Sequence, residues 1–179
     1  MFNYDEITKT LIIKPKFNDE LVNLPNDTEI IIFEVNEYPN HSKFNQNVDK
    51  LPQNLTHLTF GRYFNKNVDN LPPNLTHLTF GLSFNKNVDN LPPNLTHLTF
   101  GLTFNKNVDN LPPYLTHLTI GYKFNQNINN LIFIKYLSFP SISPIKNNIP
   151  IFVVNININF NKKSNCNEYI TNLPPSIQK

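Results

Sequence analysis

Apolar side chains fall at Leu55, Leu58, Phe60, Phe64, Val68 and Leu71, and the same six positions recur at Leu75, Leu78, Phe80, Phe84, Val88 and Leu91. The interval is twenty residues. A block reading GxxFNxxVDNLPPxLTHLTF repeats almost letter for letter through the middle of the chain, anchored by Phe44, Phe64, Phe84, Phe104 and Phe124. A fixed period of this length marks a solenoid, in which one short unit buries its apolar face only by stacking on its neighbours. Within a unit, Leu58-Thr59-Phe60 alternates apolar and polar, which predicts a short strand. Gly61 follows as a turn residue. No helix is expected in the remainder, because Asn-Lys-Asn-Val-Asp-Asn is rich in poor helix formers and Pro72-Pro73 follows at once. The prolines favour an extended or polyproline-II return, where missing N–H donors matter little on an exposed convex side.

The predicted fold class is therefore mainly β. It is a right-handed, leucine-rich-repeat-like solenoid of short parallel strands, with extended or polyproline-II convex returns and few or no helices. Decayed copies carry the pattern towards both ends. TLIIKPKF at 10–17 aligns with HLTFGRYF at 57–64, and LPNDTEIIIF at 24–33 aligns with LPPNLTHLTF. LIFIKYLSF at 131–139 is the same unit one residue short, IPIFVVNINI at 149–158 is another, and LPPSIQK at 173–179 begins a unit that is not completed. Between Phe33 and Phe44 the insertion EVNEYPNHSK, at 34–43, is expected to be a surface loop. The whole chain, 1–179, reads as one repeat domain: an irregular N-terminal coil at 1–43, regular repeats at 44–123, decayed repeats at 124–158 and a truncated coil at 159–179.

Composition narrows the function classes. A formal charge of +2 is too small to argue for nucleic acid or an anionic membrane. Residues 1–35 hold seven acids against three bases and 146–179 hold four bases against one acid, but neither end is a charged tail. The single cysteine, Cys166, excludes an internal disulfide and fits a reducing compartment. Asp5 and Glu6 stand where a signal peptide would carry positive charge, and no apolar run is long enough to span a membrane. An intracellular location, cytoplasm or nucleus, is expected. The sequons at Asn54-Leu55-Thr56, Asn74-Leu75-Thr76 and Asn94-Leu95-Thr96 are then by-products of the repeat.

Phe64-Asn65, Val68, Leu71-Pro72, Leu75, Leu78 and Phe80-Gly81, repeated in the neighbouring coils, resemble the FNIP repeat. That family is found mainly in slime-mould and giant-virus proteins and is related to leucine-rich repeats; a viral member would act in the host cell. This chain has Asn67-Val68 where the family often has Pro-Ile, and its period is slightly shorter. The resemblance, together with that to short bacterial leucine-rich repeats, implies a curved parallel solenoid with strands on its concave face. Members with an F-box ahead of the repeats are implied to be ubiquitin-ligase adaptors. Here the repeat begins by about residue 10, so no F-box is expected.

With Leu58 and Phe60 inward, His57 and Thr59 point outward. Stacking places His57, His77, His97 and His117 in one ladder beside Thr59, Thr79, Thr99 and Thr119, the candidate binding surface. No carboxylate joins the imidazoles, so no metal site or other cofactor is assigned. A second ladder runs Lys66, Lys86, Lys106, ending in Gln46 and Gln126, with Asp49, Asp69, Asp89 and Asp109 offset to relieve its self-repulsion. Asn65, Asn85, Asn105 and Asn125 are expected to bond neighbouring backbone. Catalysis finds no nucleophile in context, no phosphate loop and no pair of unlike carboxylates, so no catalytic residue is assigned and no enzyme is expected. The function expected is a non-catalytic scaffold for a protein partner. Two alternatives stand behind it: a structural or self-associating solenoid using a C-terminal strand edge, and a metal- or pH-responsive histidine ladder. A partner-specific surface is sought first in the 34–43 insertion and the unfinished C-terminal coil.

Overall fold

The computed structural model describes residues 2–34, 41–139 and 153–158. These contain nine strands and no helix. They are β1 (Phe2–Asp5), β2 (Thr10–Ile13), β3 (Ile30–Phe33), β4 (His57–Thr59), β5 (His77–Thr79), β6 (His97–Thr99), β7 (His117–Thr119), β8 (Tyr136–Phe139) and β9 (Asn155–Ile158). One sheet holds them all in sequence order. From β2 to β9 every neighbouring pair is parallel, one strand per coil, as a β-solenoid requires.

The register is set by the repeat. His57 lies opposite His77, Leu58 opposite Leu78 and Thr59 opposite Thr79, and the pattern continues through β7. The decayed units join as the alignment expects, with Thr10 opposite Ile30, Ile30 opposite His57, and His117 opposite Tyr136. A slip of one residue would turn Leu58 and Phe60 to solvent, so burial pins the register.

The core is a pair of phenylalanine columns. Phe60 and Phe64 stack within one coil at 3.7 Å, and each meets its successor, Phe80 or Phe84, at 5.6 or 6.2 Å. Leu55, Leu58, Leu75 and Leu78 close around them, all essentially inaccessible. Burying a large apolar side chain stabilises by about 1.5–3 kcal/mol, and here each ring gains that only against the coil above and below.

Two features of the coil differ from the sequence expectation. Pro52, Pro72, Pro92 and Pro112 are buried, whereas Pro73, Pro93 and Pro113 are exposed. The first proline of each pair therefore lies under the surface, where a residue with an N–H would have to find that donor a partner. The returns are bent by tight turns: Phe64 N–H donates to Gly61 O at 3.4 Å, and Leu75 N–H donates to Pro72 O at 3.3 Å.

Glycine is needed for closeness. No glycine has positive φ. A Cβ on Gly101 would instead lie 2.1 Å from Gly81 O and 2.5 Å from Gly81 C, since successive coils pass backbone to backbone there.

The N-terminal end differs more. Residues 2–5 form β1, antiparallel to β2, with Phe2 opposite Ile13 and Asp5 opposite Thr10. This hairpin covers the edge of the first parallel strand, where the sequence reading had placed no element. Its turn is tied by Asp5, whose carboxylate accepts from the backbone N–H groups of Ile7 and Thr8. Of the 34–43 insertion, 35–40 lie outside the described residues. At its described end Ser42 is fully buried against the position of Gly61, while His41 is half-buried and Lys43 exposed. Cys166 and the 159–179 coil also lie outside the described residues.

Candidate interaction surface

Each coil presents the sequence Thr-His-Leu-Thr at its strand. Leucine goes inward, and the alternation leaves His57 and Thr59 half-buried on the other face, as it does their counterparts in β5, β6 and β7. The eight candidate residues, His57, Thr59, His77, Thr79, His97, Thr99, His117 and Thr119, thus form two columns in register.

The histidine column is a ring stack. Centroids are 4.2 Å apart from His57 to His77, 4.2 Å from His77 to His97 and 4.0 Å from His97 to His117. Interplanar angles stay within 11–14°. Tyr136 continues the stack at 4.3 Å from His117, a fifth ring that sequence reasoning did not single out. Its signal was present: the short unit at 131–139 puts Tyr136 where other coils have histidine. Ser138 likewise extends the threonine column.

A second group missed from sequence holds the rings in place. Thr56, Thr76, Thr96 and Thr116 each place Oγ1 2.9 Å from Nδ1 of the following histidine. Every imidazole is thereby fixed by the residue before it, and the repeated Thr-His dipeptide is the trace of that contact.

Stacking and burial disfavour the charged form of the inner rings. Burial first, and then the neighbouring His57, His97 and His117, push the His77 imidazole down to about 4. His97 is lowered for the same reasons, burial first and then His117 and His57. The two inner rings, His77 and His97, therefore favour the neutral form. Its rings are parallel, so their nitrogens point along parallel lines and do not converge on one ion. Among the described residues no group of three or more His, Cys, Asp or Glu side chains could hold a metal.

The other ladders follow a different logic from the one expected. Asp69 is held by asparagine: Asn67 Nδ2 donates to Oδ2 at 2.8 Å, and Asn90 Nδ2 of the next coil donates to Oδ1 at 3.2 Å. Asn70 and Asn110 reach Asp49 and Asp89 in the same way. Among the described residues the ion pairs are Lys9–Asp27 and Lys14–Glu34, so Lys66, Lys86 and Lys106 do not neutralise the aspartates. The asparagines beside the core behave as expected. Asn65 Oδ1 accepts from Asn85 N–H at 3.0 Å, and Asn85 Oδ1 accepts from Asn105 N–H at 2.9 Å, linking coil to coil.

Parallel one-strand coils, phenylalanine columns and asparagine links together define a β-solenoid repeat protein. The FNIP Repeat family model matches residues 44–83 and 67–103. Across these regular coils the chain is an FNIP repeat-containing protein. No curated protein matches it.

Proposed function

We propose that the protein is a non-catalytic scaffold that presents the His/Thr face of β4–β7 to a protein partner. The observation that carries this reading is the register of that face. Eight polar, half-exposed side chains repeat on a sheet whose own backbone hydrogen bonds hold it rigid. A rigid platform costs little ordering entropy on binding. An intracellular setting accompanies the proposal. Its support is that, among the described residues, no helix is long and apolar enough to cross a membrane, together with the lone Cys166. Nucleic acid fits less well, because no lysine or arginine stands in either column.

The test pairs affinity capture from native-cell extract with surface substitution. Partners retained by the wild type and lost by Thr79→Arg/Thr99→Arg place binding on this face; partners retained by both refute it. Light scattering on the same samples addresses self-association, since mass that grows with concentration would move the reading to an assembling solenoid.

A further inference from the structure

The proton on each stacked imidazole can be located from the hydrogen bonds around it. Thr56 O already accepts from Thr76 N–H at 2.9 Å and His77 N–H at 3.1 Å, which occupies both lone pairs. Glu29 O, Thr76 O and Thr96 O are doubly occupied in the same manner. The hydroxyls of Thr56, Thr76, Thr96 and Thr116 lie 3.1–3.4 Å from these carbonyls, beyond the usual 2.5–3.0 Å for an O–H···O bond. The same hydroxyls lie 2.9 Å from histidine Nδ1. The threonine proton therefore goes to Nδ1, and a neutral ring that accepts at Nδ1 carries its own proton on Nε2. None of the four Nε2 atoms is buried without a partner. They face solvent as N–H donors.

We infer that this column of four Nε2–H donors recognises an extended acidic segment of the protein partner, with carboxylates on alternate residues. The inference rests on the scaffold reading above and names its partner chemistry. Adjacent donors follow the 4.0–4.2 Å ring spacing, close enough for the two oxygens of one carboxylate to bridge them. In an extended peptide, same-side residues recur every ~6.8 Å, so two flexible glutamates at alternate positions serve the His57/His77 and His97/His117 pairs. Among the described residues the face offers no competing carboxylate beside the stack. Strand neighbours in the histidine column are Ile30, Thr10 and Tyr136, and those in the threonine column are Ile32, Ile12 and Ser138. Among the described residues, charges adjoining the column along the strands are Glu29, just before Ile30, and Lys135, just before Tyr136. Lys9, just before Thr10, is paired with Asp27, and Asp5 sits opposite Thr10 with its carboxylate on Ile7 and Thr8 N–H. A polyphosphate backbone, by contrast, requires cations that neither column supplies.

The test uses 15N-labelled protein and three ten-residue peptides alternating Ser with Glu, Gln or Lys, plus a ten-nucleotide oligo-dT. Long-range 1H–15N spectra at pH 7.5 should show Nε2-protonated rings; Nδ1-protonated rings overturn the inference. Titration with the Glu peptide should move the Nε2 resonances to saturation, at least about tenfold more tightly than the Gln peptide. No shift with excess Glu peptide, or equal binding of the Lys peptide or oligo-dT, also overturns it. His77→Phe/His97→Phe keeps stacked rings but removes the donors, and should lose the Glu peptide. His77→Gln, which retains a side-chain N–H, should keep it and serves if the double variant does not fold. Capture of a partner lost in Thr79→Arg/Thr99→Arg, with no response to the Glu peptide, would leave the scaffold standing and remove only the acidic partner.

Discussion

Mild acid should destabilise this solenoid through its histidine stack, and the size of the effect follows from His77. In the unfolded chain its imidazole titrates near 6.5; folded, burial and the flanking rings hold it down at about 4. The depressed folded value means that the unfolded state takes up the proton first. The stabilisation is therefore complete above pH 6.5, is lost as pH falls from 6.5 to 4, and levels off below that. At pH 5 the unfolded ring is almost fully charged and the folded ring almost fully neutral, a difference of about 2 kcal/mol at one position. Because the ring is only half-buried, solvent screening trims this to roughly 1–2 kcal/mol. His97 is shifted in the same direction and adds to it. With a urea dependence of ~2 kcal/mol per molar, the midpoint should fall by roughly 0.5–1 M between pH 7.5 and pH 5. The assay is urea unfolding followed by circular dichroism at the two pH values. His77→Phe keeps a ring in the stack while removing its titration, and should shrink the drop. A midpoint that does not move between pH 7.5 and 5, or a His77→Phe variant that falls as far as the wild type, would refute a neutral, tightly stacked column.

The other predictions concern the contacts between coils. Gly101→Ala puts a methyl 2.1 Å from Gly81 O and should cost about 1–3 kcal/mol or more, read as a lower thermal midpoint; an unchanged melt would contradict the close backbone approach. Asn85→Ala removes the acceptor of Asn105 N–H and should cost about 1–3 kcal/mol, with selective loss of hydrogen-exchange protection at Asn105. Phe84→Ala empties a fully buried ring position between Phe64 and Phe104 and should cost about 3–5 kcal/mol in urea unfolding. Asp69→Asn should do much less than any of these, within about 1 kcal/mol, because the carboxylate is exposed and its partners are neutral amides.

The sequence alone determined the solenoid, its strands, the inward phenylalanines and the outward His/Thr columns. A unit of twenty residues that cannot bury six apolar side chains by itself has to stack, and identical units have to stack in register. Even the degenerate coils at 10–17 and 131–139 were legible, since apolar spacing survives where the letters do not. The tertiary structure decided what each polar position bonds. Glycine and proline look like turn residues in one coil, but Gly101 is fixed by the backbone of the coil before it, and Pro72 by its own burial. The aspartates could have met lysine or asparagine, and only side-chain reach across coils chose Asn90 for Asp69. The hairpin of β1 on β2 breaks the repeat and left no periodic signal. Spacing along the chain could align four histidines. The double occupancy of Thr56 O arises only when two coils meet, and together with the contact of Thr76 Oγ1 with His77 Nδ1 it decides which nitrogen carries the proton.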